Sequence, residues 1–382
     1  MNRINIKVGI KTLGQPIISR DKRYNDEGFN VVENLLIGDG FHWQTSISAK
    51  LPGDLIIVNH SEDRLNISEA DQNITLINIL PLETYLECVV GSEMNPGAPK
   101  EFLKAHAVIS RSWALGKILG LHPEDKEGAM DTKDCLIGWD DTEAHKGFHV
   151  CSDDHCQRYQ GIQFIPENAR DAIRKTSGEV LVSPSGNLVD ARFSKCCGGK
   201  TELFATCWQP KEMECIESID DPWCDLSGLN YATTESLLDS ILKDYDKATC
   251  NYGFRWETKV RKKDIAVRLK ECFGKDIGKV MHLEPLHRGA SGRIDLLRIH
   301  GEKNHIDLGK ELWIRRVLSS SHLYSSNFSI EDLGDSVKLK GKGWGHGVGL
   351  CQIGAANMAF QGYNYKDILS YYYPGAIIQN YY

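Results

Sequence analysis

The chain has 382 residues, 41% of them hydrophobic and 25% charged, ordinary values for a folded globular protein with material for two or three subdomains. Its net charge of -7 excludes a general nucleic-acid binder, which carries a basic excess. No run approaches the ~18 apolar residues of a membrane span. Residues 1–10 are too polar for a signal peptide, which leaves a cytoplasmic chain, another route to the envelope, or a leader already removed.

Residues 1–80 read as β-rich. Stretches 4–10, 54–59 and 73–80 carry strand patterns separated by Gly, Asp, Asn and Ser turns. A short helix is expected over 82–90, with Leu82, Leu86, Val89 and Val90 inward. The turn Asn95-Pro96-Gly97-Ala98-Pro99 then leads into a helix over about 100–119, apolar nearly all round and therefore buried. Arg111 sits in its middle. A buried guanidinium needs a carboxylate or a polar cavity beside it, so Arg111 makes either a structural ion pair or a wall of a cleft. Residues 120–161 are loop-rich. A strand over 178–182, a Pro184-Ser185-Gly186-Asn187 turn and a run over 188–193 suggest a hairpin. Residues 203–280 are acidic in their first part, cysteine-bearing and partly helical, and β signals return at 293–299. Near the C-terminus, glycine stands at every second position from Gly341 to Gly349. Helices are expected over 351–360, capped by Gly362, and over 365–372, ending before Pro374.

Four constellations carry chemistry. Glu93 follows the first helix. Position alone makes it an exposed helix-end carboxylate, but Val89, Val90 and Met94 supply the apolar surroundings in which a general acid holds its proton. Second, His145, His149, Cys151, His155 and Cys156 lie within twelve residues, the local density of a zinc site. Cys151, His155 and Cys156 are the firm ligands. His145 is preferred as the fourth, because His149 is too close to Cys151 for tetrahedral wrapping. Four protein ligands would make the zinc structural, and three would leave a catalytic position. A Cys151–Cys156 disulfide with surface histidines is the alternative. Third, His346 in its glycine loop either packs the loop or contacts substrate, with Trp344 offering a face to a sugar ring. Fourth, Lys200 in Cys196-Cys197-Gly198-Gly199-Lys200 is a surface lysine or a ligand for hydroxyl or acetamido groups. The twelve cysteines do not space as one disulfide framework. Cys207, Cys215 and Cys224 could form a second metal site with Cys196 or Cys197, at loose spacing.

Taken in order, these motifs resemble the stage II sporulation protein D family, which includes the amidase-enhancer proteins of bacterial cell-wall turnover. The resemblance rests on Leu80-Pro81-Leu82-Glu83-Thr84-Tyr85-Leu86, Gly91-Ser92-Glu93-Met94, and the segment 103–115 around Arg111. It continues through His155-Cys156-Gln157-Arg158-Tyr159-Gln160-Gly161, Cys197-Gly198-Gly199-Lys200-Thr201-Glu202 and the Gly343–Ala355 stretch, covering roughly residues 70–375. It implies a lytic transglycosylase acting on peptidoglycan, in the best-known members on glycan strands stripped of stem peptides. The family's catalytic glutamate falls on Glu93 and a functional arginine on Arg111. Lys200, Trp344, His346 and Gln352 become substrate-binding candidates, and His145, Cys151, His155 and Cys156 a structural zinc site seen in some members. Glycan strands and a cell-wall amidase are the implied partners, and the envelope the implied location. Cys351 stands where Ser is common, the middle segment is long and cysteine-rich, and the leader or anchor of sporulation members is not evident.

The expected architecture is α+β, a helical catalytic cleft flanked by β-rich subdomains. A β-rich region would span 1–75. The catalytic region would span 76–375, including the zinc loop 145–156 and a cysteine-rich insertion of about 203–280, followed by a tail over 376–382. The rival functions are a non-catalytic glycan-binding or amidase-stimulating module and a zinc hydrolase centred on Cys151, His155 and Cys156. A Cys351–His346 nucleophile pair has no recognised spacing.

Overall fold

The computed structural model describes residues 4–21, 28–39, 44–59, 74–95, 97–121, 128–139, 145, 147–243, 253–321 and 323–382. Strand alternation produces β1 (Asn5–Ile10), with Ile6 and Val8 buried and Asn5 and Lys7 exposed. Strands β2 (Thr12–Asp21), β3 (Phe29–Ile37) and β4 (Thr45–Leu51) form an antiparallel sheet in that order. β5 (Asp54–Asn59) and β6 (Ile74–Pro81) pair antiparallel, and β6 pairs with β1. The short strand β9 (Val150–Cys151) lies parallel on the other edge of β1. The metal-loop candidate is thus anchored to the N-terminal sheet.

β6 runs without a break into α1 (Leu82–Glu93), with Pro81 at the N-cap, where its missing N–H costs nothing. The helix extends past residue 90 through Gly91 and Ser92, so Glu93 is its last residue rather than one that follows it. A Cβ on Gly91 would stand 2.9 Å from Ile165 Cα; close packing here outweighs glycine's poor helix propensity. Next comes α2 (Lys100–Ile118), buried along most of its length as its all-round apolar character requires. It packs against α1 and α3 (Glu167–Lys175).

Strand β10 (Glu179–Val182) departs from the expected hairpin. The turn at 184–187 forms, and its arms meet at the bridge Val182–Leu188 and through the Ser183 N–H to the Asn187 carbonyl and the Val189 N–H to the Leu181 carbonyl, but the second arm does not continue as a strand. The ladder along the whole length of β10 is with β19 (Ile377–Asn380). The stretch after residue 375 is therefore an integral strand, not a tail.

The described residues form two apolar cores, and the first of them runs across residue 75. The first joins the N-terminal sheets to α1, α2 and α3. It also takes in α4 (Phe204–Cys207), α5 (Tyr231–Ile241) and the C-terminal helices that follow the glycine loop. The second is built from residues 256–339 together with Leu136. In it a five-stranded sheet contains β13 (Val280–Arg288), β14 (Ile294–Gly301) and β15 (His305–Gly309), extended by β8 (Cys135–Ile137) and β7 (Met130–Asp131). The cysteine-bearing part of the middle segment thus belongs to the first core. The class is α+β, and among the described residues no helix is long and apolar enough to cross a membrane.

Candidate active site

Glu93 ends α1 in a buried position, 6% exposed. Its carboxylate Oε1 accepts the Arg158 backbone N–H at 3.3 Å. Residues 157–160 lie along the end of α1 and are held there at several points. Gln160 N–H donates to Ser92 Oγ at 3.0 Å, and the Tyr85 hydroxyl donates to Gln157 Oε1 at 3.2 Å. The Tyr85 and Tyr159 rings stack at 5.5 Å. The Arg158 side chain forms an ion pair with Asp154. From the other side, Lys243 Nζ donates to the Gly91 and Met94 carbonyls at 2.9 and 2.7 Å. A cation on the orphan carbonyls of a helix C-terminus is favourable, and here it stands on either side of Glu93 in sequence. Asn95 Nδ2 reaches the Asp239 and Leu242 carbonyls, which docks α5 on the same end of α1.

The segment that presents Arg158 emerges directly from the Cys/His loop. One donor atom from each of His145, Cys151, His155 and Cys156 lies within 4.8 Å of the rest. Cys156 Sγ stands 3.6 Å from His145 Nε2 and 3.6 Å from His155 Nδ1, and Cys151 Sγ 3.8 Å from His155 Nδ1. A tetrahedral zinc with Zn–S of about 2.3 Å and Zn–N of about 2.0 Å sets sulfur and nitrogen about 3.5 Å apart, so the four side chains fit such an ion. His149 stands outside the group, its Nδ1 accepting the Lys7 N–H at 3.0 Å. Hydrogen bonds, first from Cys156 and then from His145 and His155, hold the Cys151 thiol well below its usual range, while burial and Cys151 hold Cys156 above it, so one proton is shared unequally between the two sulfurs.

The other residues singled out by sequence are engaged by partners other than Glu93. Arg111 is 0% exposed. Its Nε and Nη2 bind the two oxygens of Glu83 at 2.7 and 2.8 Å, and Nη1 donates to the Glu179 carbonyl at 3.0 Å. Of its two alternatives, this is the structural ion pair, with no surface left to meet a sugar. Trp344 is 6% exposed and packs edge-on against Tyr324, so its ring offers no open face. Gln352 is buried, with Nε2 3.2 Å from His106 Nε2. His346 is half-buried. Its Nδ1 accepts the Val348 N–H at 3.0 Å and its ring meets Trp208. Burial, then the Arg192 and Arg293 charges, depress it to about 3, so the imidazole is neutral. Lys200 keeps the most solvent access, with its side chain 39% exposed and 3.5 Å from Asp220.

The glycine alternation has a physical cause inside the fold. Arg293 is fully buried and donates to the Gly345 and Cys197 carbonyls and to Ser291 Oγ. A Cβ on Gly347 would stand 2.5 Å from its Cζ, and one on Gly343 2.7 Å from its Nη2. The loop wraps a guanidinium, which is the packing alternative for this segment. Sequence reasoning missed Arg293 and Lys243, since neither lies in a chemical motif. Arg158 lies within a quoted motif, but its role comes through its backbone N–H, which no side-chain pattern reports.

Residues 70–182 match the family described as Stage II sporulation protein (SpoIID). Residues 202–349 match a domain of unknown function, DUF8618. The chain is 25% identical over 299 residues to the stage II sporulation protein D of Bacillus subtilis, covering 78% of this chain and 74% of that protein. It is 26% identical over 314 residues to an uncharacterized protein of Brachyspira hyodysenteriae, covering 81% and 70%. It is also 24% identical over 318 residues to the amidase enhancer of Bacillus subtilis, covering 78% of this chain but 40% of that protein. A SpoIID domain thus spans α1, α2 and the Cys/His loop, and most of the chain is similar to stage II sporulation protein D.

Proposed function

We propose that this chain works on the bacterial cell wall as a peptidoglycan lytic transglycosylase. In this reading it cleaves the bond between N-acetylmuramic acid and N-acetylglucosamine in glycan strands stripped of stem peptides, with Glu93 as acid and base. The observation that carries the reading is the nearly buried Glu93 carboxylate, held by the Arg158 N–H immediately beyond the Cys/His loop. Protonated Glu93 donates to the glycosidic oxygen as its bond to C1 breaks. The C6 hydroxyl of the same muramic residue closes on C1 as a 1,6-anhydro ring, and its proton returns to Glu93. Hydrolytic glycosidases use a second carboxylate to activate water or form an adduct. An intramolecular hydroxyl removes that need, so one acid suffices.

His145, Cys151, His155 and Cys156 would hold a zinc ion through four protein ligands, which leaves no position for water and makes it structural. Its contribution is to fix the loop that carries Arg158 to Glu93. This argues against a zinc hydrolase. The envelope, where the glycan lies, is the compartment of this activity.

Likeness to a protein named amidase enhancer favours one second reading, a glycan-binding module that stimulates an amidase without cleaving. Denuded glycan incubated with wild type and Glu93→Gln, followed by mass spectrometry, separates them. The transglycosylase reading expects 1,6-anhydro ends from wild type and none from the variant, with folding and glycan binding kept. Anhydro product from Glu93→Gln would remove Glu93 from the mechanism, and none from wild type would leave the binding module.

A further inference from the structure

A second cysteine cluster lies outside the glutamate site. Cys197, Asp221, Cys224 and Cys351 are all buried, and one ligand atom from each lies within 4.8 Å of the others. They come from three distant segments. Cys197 is in the turn after β11 (Phe193–Ser194). Asp221 and Cys224 flank the single turn at Pro222–Cys224. Cys351 ends β18 (Leu350–Cys351), which pairs with β11, and caps the helix Gln352–Phe360.

The geometry is that of a metal shell rather than a disulfide. Cys197 Sγ is 3.4 Å from Cys224 Sγ and 3.1 Å from Asp221 Oδ2. A disulfide needs about 2.05 Å, whereas two thiolates on one tetrahedral zinc stand about 3.7 Å apart. Backbone N–H groups also point at two of the sulfurs. The Cys197 and Gly354 N–H groups point at Cys351 Sγ at 3.3 and 3.4 Å, and the Gly199 N–H at Cys197 Sγ at 3.4 Å. Cys351 additionally sits at a helix N-terminus, which stabilises an anion. Asp221 is oriented by the Trp223 N–H on Oδ1 and the Tyr372 hydroxyl on Oδ2, the kind of outer contact that aims a metal ligand. Packed together away from water, these groups either keep their protons or share a cation that takes their place.

We infer that Cys197, Cys224 and Cys351, with Asp221 as fourth ligand, hold a structural zinc ion separate from the Cys/His loop. Cys207 and Cys215, the other cysteines suggested by spacing, lie outside the group. The Cys207 thiol faces the His346 carbonyl at 3.6 Å, and Cys215 takes a positive φ of 62°. The ion clamps the cysteine-bearing middle segment to the start of the helix Gln352–Phe360, whose Asn357 also binds the Trp223 carbonyl. This inference does not depend on Glu93 being catalytic.

The test is metal content of the full chain, produced with zinc in the medium and passed through chelator-free buffer. Mass-spectrometric metal analysis is expected to give two zinc ions per chain in wild type and one in Cys151→Ser/Cys156→Ser, which empties only the loop. X-ray absorption on that double variant should show a sulfur-dominated first shell. Adding Cys224→Ser should remove the remaining ion. Because that triple variant can misfold, the double variant decides. No zinc in the folded double variant, or a Cys197–Cys224 disulfide in peptides mapped without reductant, overturns the assignment.

Discussion

Replacing Arg111 by Ala tests whether this arginine serves the fold or the glycan. The guanidinium makes two charge-assisted bonds to Glu83 and a third to the Glu179 carbonyl, with no exposure. Removing one partner of a buried pair costs about 3–5 kcal/mol, largely the burden of the charge left behind. The Glu83 side chain is 28% exposed and also accepts from the Tyr382 hydroxyl, so part of that burden is relieved by solvent and tyrosine. The expected loss is therefore at the lower end, about 3 kcal/mol. Arg111→Lys keeps the charge but loses the planar fork, and about 1–2 kcal/mol is expected. Urea unfolding followed by tryptophan fluorescence reads both, with the denaturant slope checking that the same surface is exposed. Anhydro-product turnover per folded molecule is measured alongside and should stay near wild type. An Arg111→Ala protein as stable as wild type but unable to bind or cleave glycan would refute the ion-pair argument.

Three further outcomes follow from the geometry. Lys243→Met should lower turnover and raise the rate of hydrogen exchange at the end of α1, because two carbonyls around Glu93 lose their cation; unchanged exchange there would contradict the capping role. Gly347→Ala should cost about 2–4 kcal/mol, combining positive-φ strain with a Cβ driven into Arg293. Gly334→Ala, at φ +84° with nothing within 4 Å, should cost only about 1 kcal/mol, and equal losses would mean that Arg293 moves freely. His106 is fully buried and its imidazole is depressed from 6.5 to about 3, first by burial and then by Lys195. The unfolded chain binds this proton below pH 6.5 while the native ring does not, so its contribution is complete above pH 6.5 and declines as pH falls toward 3. Between pH 7 and 5 it should account for about 2 kcal/mol of lost stability, and His106→Gln should show a correspondingly shallower pH dependence in chemical denaturation.

What could be read from the chain is what is local to it. β5 and the C-terminal helix Tyr365–Tyr372 start and stop where alternation and Pro374 place them, and the structure adds an Asn364/Asp367 capping box at the helix start. The Cys/His loop could be read for the same reason, since its donors fall within twelve consecutive residues and the fold gathers four of them into a group that could hold a metal ion. Pairings across long separations left no such trace. β10 carries a strand signature and a real turn after it, yet its partner is at residues 377–380. Nothing in either segment names the other. Arg111 shows the boundary most clearly. Its buried helix required a carboxylate, and the sequence contained one in a neighbouring motif, but the identity of that partner, Glu83, depends on how α1 crosses α2. The glycine loop reverses the inference. Small residues at alternate positions mean close approach to something, and a ligand and a buried side chain demand the same glycines. Only the position of Arg293, on the edge of a different core, decides between them, so the motif reports a steric requirement and not the chemical species that imposes it.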